Sequence, residues 1–111
     1  MEIPPDVRFR HWQPSPAVVA AARERVDKLD RFHPHIISCR VMIEAIHQQH
    51  LNGTVYHVRV DLSVPRREIV AKSESVPGRF HEDVYVAIRD AFDEARRELQ
   101  DDIRTWRDSV R

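Results

Sequence analysis

Seven histidines and one cysteine are the residues of this 111-residue chain best suited to metal chemistry. His33 and His35 stand two apart and His47 and His50 three apart, with Cys39 between the pairs. Zinc takes imidazole and thiolate in a tetrahedral array, so these residue types could build a site. Cys39, however, alternates with apolar neighbours, and a buried free cysteine behaves as a small hydrophobe. His33 and His35 flank Pro34 in a connection, where exposed histidine is ordinary. No metal and no cofactor are expected. Ser73, Ser75, His81 and Asp83 offer a nucleophile, a base and an orienting carboxylate, but a triad is assembled in space, not along the chain. No enzymatic activity is expected either. With only Gly53 and Gly78, the chain also lacks the glycines of a phosphate-cradling loop or dinucleotide fingerprint.

Phosphate recognition is the remaining chemistry, and it depends on where the cations lie. Lys and Arg number 18, as do Asp and Glu, so the formal net charge is zero. That balance speaks against indiscriminate nucleic-acid binding. It is not uniform, since residues 1–81 hold 12 basic and 9 acidic residues, and residues 82–111 hold 6 and 9. Arg23, Arg25, Lys28 and Arg31 cluster in one stretch, and Arg66, Arg67 and Arg79 fall in predicted loops. Clustered guanidinium and ammonium groups can approach several backbone oxygens together. Read alone, the same residues describe a solvated surface, with Glu24, Asp27 and Asp30 as local ion-pair partners. Trp12 and Trp106 are expected to pack rather than to stack on a base.

The elements that must position these groups follow from periodicity. Val7 and Phe9 alternate with Arg8 and Arg10, as in a half-buried strand. Ser15 and Pro16 suit the N-cap and first position of a helix near 15–32. Val18, Ala22, Val26 and Leu29 form its apolar stripe, and Pro34 ends it. Alternation predicts strands at 36–45 and 55–64, joined through Asn52-Gly53, and a short fourth strand over 68–73 after Pro65-Arg66-Arg67. Ser75 to Arg79 reads as a loop. Val84, Ile88, Ala91, Ala95, Leu99, Ile103 and Trp106 recur at helical spacing over 82–107. The three later strands form an antiparallel meander, and the first strand pairs parallel through a right-handed crossover. Two helices then cover one sheet face and leave the other wet. Arg8, Arg10, Arg40, Arg59 and Lys72 are expected on the wet face, against Glu44, Asp61 and Glu68.

No apolar run approaches a membrane span, and the N-terminus is acidic and proline-broken. One cysteine cannot form an internal disulfide. The expectation is a soluble cytoplasmic protein with residues 1–111 as one domain.

Two stretches resemble a known family. Val26-Asp27-Lys28-Leu29-Asp30-Arg31-Phe32 is similar to the first-helix end of the ribosome hibernation promoting factor and ribosome-associated inhibitor family, the sigma factor modulation proteins. His81-Glu82-Asp83-Val84-Tyr85-Val86-Ala87-Ile88 is similar to its last-helix opening, and Arg97-Glu98-Leu99 to the continuation. The resemblance spans roughly Val7 to Ile103. It implies an α+β fold, β-α-β-β-β-α, like that of double-stranded-RNA-binding domains, with a four-stranded sheet and both helices on one face. It further implies a short-form factor that binds ribosomal RNA of the small ribosomal subunit near the decoding channel, inhibits translation and promotes hibernation under stress. No membrane and no small-molecule substrate are implied. Matching basic positions are Arg25, Lys28, Arg31, Arg97 and, approximately, Arg79, to which the sequence adds Arg66 and Arg67. Glu94, Asp101 and Asp102 depart from the family's usual basic or neutral residues. A protein-interaction module on the same fold, with RNA affinity weakened or lost, is the rival reading.

Overall fold

The structure is a computed structural model that describes residues 1–47, 54–75 and 82–109. The element order is β1 (Asp6–Arg10), α1 (Pro16–Phe32), β2 (Ser38–His47), β3 (Thr54–Val64), β4 (Arg67–Glu74) and α2 (Glu82–Ser109). The four strands form one sheet in that order, with β1 parallel to β2 and the rest antiparallel.

Local chemistry explains the boundaries. Ser15 Oγ accepts from the Val18 N–H at 3.4 Å, and Pro16 opens α1 with no amide to leave unpaired. His33, in extended geometry, closes the helix by donating its N–H to the Leu29 carbonyl at 2.8 Å. Val64 and Arg67 face each other across a two-residue reversal. Pro65 at its first position and a φ of 79° at Arg66 match a type II turn.

The core lies between one sheet face and both helices. Cys39, Val41, Ile43, Val58, Val60, Leu62, Ile69 and Ala71 meet Val18, Val26 and Leu29 of α1 and Val84, Ile88, Ala91, Phe92, Ala95 and Leu99 of α2. Phe9, Trp12 and Tyr56 close the rim as an aromatic cluster, with centroids 4.8 and 5.1 Å apart. Trp12 also donates its Nε1–H to the Ile43 carbonyl at 2.9 Å. It packs, as expected, whereas the Trp106 side chain lies outside the described ones.

Most element ends shift by one or two residues from expectation. β2 is assigned from Ser38, although Ile37 already donates its N–H to the Ser63 carbonyl. β4 runs through Glu74, and Ser75, read as loop, still pairs with Tyr56 through its N–H at 2.9 Å. Ile103 does not join the core, being 38% exposed, because α2 outruns the sheet after Leu99. The Asn52-Gly53 turn and residues 76–80 lie outside the described residues. Ser15→Ala should cost about 1 kcal/mol and lower Tm by roughly 4–8 °C in thermal unfolding followed by circular dichroism.

Candidate nucleic-acid interface

Both helices run in the same direction. α1 follows Arg10 and α2 follows Glu74, and the row Arg10–Glu44–His57–Glu74 crosses the sheet at one end. Their C-termini therefore lie at the other end, beside the β3–β4 turn.

Arg25, Lys28 and Phe32 stand three and four residues apart, so they share one flank of α1. The Arg96 guanidinium of α2 lies over the Phe32 ring, 4.6 Å from its centroid. That contact turns the Arg25–Lys28 flank toward α2. On α2, Arg89, Phe92 and Arg96 repeat at three and four residues, and Phe92 is buried against the core. The seam between the helices is thus walled by Arg25 and Lys28 on one side and by Arg96 on the other. Lys28 pairs with Glu24 at 3.7 Å and Arg89 with Asp90 at 3.1 Å. Both pairs are exposed, and such pairs hold their cations weakly. Arg31 ends the α1 row in solvent, because each step of three residues drifts about 60° around a helix.

The opposite flank of α2 is acidic. Glu94, Glu98 and Asp101 recur at four and three residues on the side away from α1, with Asp90 outward of them beside Arg89. Arg97 sits on the outer surface beside them, 2.6 Å from Glu94. Arg67 reaches Asp102 at 3.7 Å, so α2 holds part of its charge. Arg66 is exposed in the turn. The fold brings Arg25 and Lys28 to the side of α1 that Arg96 meets, leaves Arg31 outward of them, and places Arg66, Arg67 and Arg97 beyond α2. Arg79 lies outside the described residues. Arg96 was missed by motif matching, which selects Arg97. The seven-residue spacing of Arg89 and Arg96 about Phe92 was the available signal.

The wet sheet face carries the expected charges; Arg8, Arg10 and Arg59 have carboxylate partners, and Arg40 and Lys72 have no ion pair among the described residues. Arg8 meets Asp6 at 2.8 Å, and Arg10 meets Glu44 at 3.9 Å. Arg59 grips both carboxylate oxygens of Asp61, a hydrogen bond that raises the guanidinium pKa further. A shallow depression there is lined by Met42, Arg10, Glu44, Arg59 and Lys72. Its mixed charge suits phosphate less than the helix seam does.

A family model described as Sigma 54 modulation protein / S30EA ribosomal protein matches residues 6–104. The chain belongs to this family. The resemblance drawn from Val26–Phe32 and His81–Ile88 is thereby borne out, and the family is a ribosome-associated one. A ribosomal subunit interface protein from Coxiella burnetii has a similar fold, with TM-score 0.70 and 14% identity over 87% of this chain and 93% of that one. The N-terminal domain of Thermus thermophilus Protein Y gives TM-score 0.65 and 16% identity over 89% and 96%. At such identities these likenesses establish the α+β fold. No curated protein sequence matches the chain.

The described residues of the other candidate chemistries in this family member are engaged in packing and hydrogen bonds. Ser73 Oγ donates to the Ala87 carbonyl, tying β4 to α2, and Ser75 Oγ accepts from the Tyr56 N–H at 2.8 Å. His81 and the Asp83 side chain lie outside the described residues. His33 is buried, and its Nδ1 accepts from the His35 N–H at 3.2 Å. Among the described residues no cluster of three metal donors forms, and His50 and the His47 side chain lie outside them. Cys39 is buried in the core, and burial, with Asp61 nearby, pushes its thiol from 9.0 to about 12. Native protein should therefore resist a thiol reagent at neutral pH and react fully once unfolded. The raised value also stabilises the fold below pH 9.0, a contribution lost as pH rises toward about 12. Unfolding midpoints measured across that range should fall further for the native chain than for Cys39→Ala.

Proposed function

We propose that this chain is a non-enzymatic, cytoplasmic, ribosome-associated factor. On this reading residues 1–111 act as one domain that binds ribosomal RNA of the small subunit near the decoding channel. Occupying that channel inhibits translation and holds idle ribosomes in hibernation under stress. The reading is carried by a single observation: within the fold of this family, Arg25, Lys28 and Arg96 line one seam, with Arg31 beside it. Arg96 is suited to phosphate because Phe32 supports one face of its guanidinium and leaves the N–H edges free. Arg66 and Arg67, at the same end of the molecule, extend the surface, with Arg97 and Arg79 as outlying contacts. Neither metal nor small molecule enters this mode of binding.

Purified ribosomes and chain should co-sediment at low salt, with log affinity falling linearly against log salt. Lys28→Ala/Arg31→Ala should weaken binding and flatten that slope by about two counterions. Arg25→Ala/Arg96→Ala should do the same, while Asp90→Asn/Glu94→Gln should change binding far less. No co-sedimentation at any salt concentration rejects the ribosome reading. Intact binding with both basic pairs removed rejects the helix seam and favours the interaction-module reading, in which the acidic flank of α2 meets protein.

A further inference from the structure

β4 is an outer strand, and its hydrogen-bonding pattern shows which backbone groups have no partner among the described residues. Ser75 donates its N–H to the Tyr56 carbonyl, two positions beyond the pairing of Val58 with Ser73. Antiparallel ladders alternate, so Ile69, Ala71 and Ser73 turn their N–H and C=O groups toward β3. Glu68, Val70, Lys72 and Glu74 turn theirs toward the free edge. Ile69 and Ala71 are buried, whereas Glu68, Val70, Lys72 and Glu74 place their side chains on the wet face. Val70 is 38% exposed, an apolar side chain partly open to solvent, and Glu68 and Lys72 make no ion pair among the described residues.

Above this edge stands the acidic flank of α2. Glu94 is tied to Arg97 and Asp90 to Arg89, while Glu98 and Asp101 have no cation among the described residues. An added strand would run beside β4, with one set of side chains under that flank and the other beside Glu68, Val70 and Lys72. We propose that the β4 edge is a strand-addition site for an extended, basic segment of a partner protein. Main-chain hydrogen bonds to Glu68, Val70, Lys72 and Glu74 supply the docking, and lysines or arginines at alternate positions meet Glu98 and Asp101. A second copy of this chain fits less well. Pairing about Val70 does set Glu68 opposite Lys72, but it also brings two acidic α2 flanks to about 10 Å, near helix-packing distance. Those carboxylates work against self-pairing and select a cationic strand. The site lies beyond α2 from the Arg25–Lys28 seam, and of the RNA-binding residues proposed above only the outlying Arg66, Arg67 and Arg97 border it.

The test uses the full chain and a labelled peptide that alternates lysine and threonine, matched in length to the eight residues of β4. Saturable binding is expected by fluorescence anisotropy, with amide exchange slowed at Glu68, Val70 and Lys72. Val70→Pro removes an outward N–H without touching the β3 ladder, and should weaken binding at least ten-fold. Glu98→Lys/Asp101→Lys, at a half-buried and an exposed position of α2, should weaken it similarly, and Lys28→Ala should leave it unchanged. Equal binding of a glutamate–threonine peptide, retention of affinity in both variants, or a chain that dimerises through β4 and excludes the peptide overturns the proposal.

Discussion

One face of the sheet is almost wholly aliphatic: Cys39, Val41, Ile43, Val58, Val60, Leu62, Ile69 and Ala71 are each at most 1% exposed. Leaving that surface in water costs about 1.5–3 kcal/mol for each large side chain. Strands about 4.8 Å apart make four of them wide enough to need two helices, which pack about 8–10 Å apart. The helices are thereby forced side by side, and a seam between them is unavoidable. Its walls are the flanks that the apolar stripes leave over. The cation row of Arg25, Lys28 and Arg96 is thus a consequence of covering the sheet, with Phe32 and Phe92 as the apolar lining of the same seam.

Much of this was legible in the sequence because the periods are clean. Val58, Val60, Leu62 and Val64 alternate without exception, and Val18, Ala22, Val26 and Leu29 hold their helical stripe. What failed failed for reasons of reach. Ser75 looks like loop from its neighbours, yet Tyr56, far along the chain, holds it to the sheet by backbone and hydroxyl. Ile103 keeps the helical period but lies past the end of the sheet, where the same residue type finds nothing to cover. Periodicity reports a face, not whether a partner is opposite it.

The site was harder to read than the fold. Arg25, Lys28 and Arg31 are visible as a cluster, but the flank they present is fixed by Phe32 meeting Arg96, a contact between helices. Arg67 looks as free as Arg66 until Asp102 is placed beside it. Local acids were legible, as with Glu24 beside Lys28, because they sit one helical turn away. Distant ones were not. The motif drew attention to Arg97, which the fold points outward beside Glu94, and away from Arg96, one residue earlier and on the seam.

A chain of zero net charge can still present strong local potential if its charges are sorted by direction. α2 does the sorting, with Arg96 on the flank toward α1, Glu94, Glu98 and Asp101 on the flank toward β4, and the Arg89–Asp90 pair between them. A helix with its side chains is about 10–12 Å across, and the Debye length at physiological ionic strength is about 8 Å. Charges on opposite faces of the helix are therefore about one screening length apart, and a ligand feels mainly the flank it touches. Dilute salt would extend the reach of each flank into the other's territory and blur the distinction. At cellular ionic strength, zero in the sum becomes positive on one side of the helix and negative on the other, and two oppositely charged ligands can share one short domain.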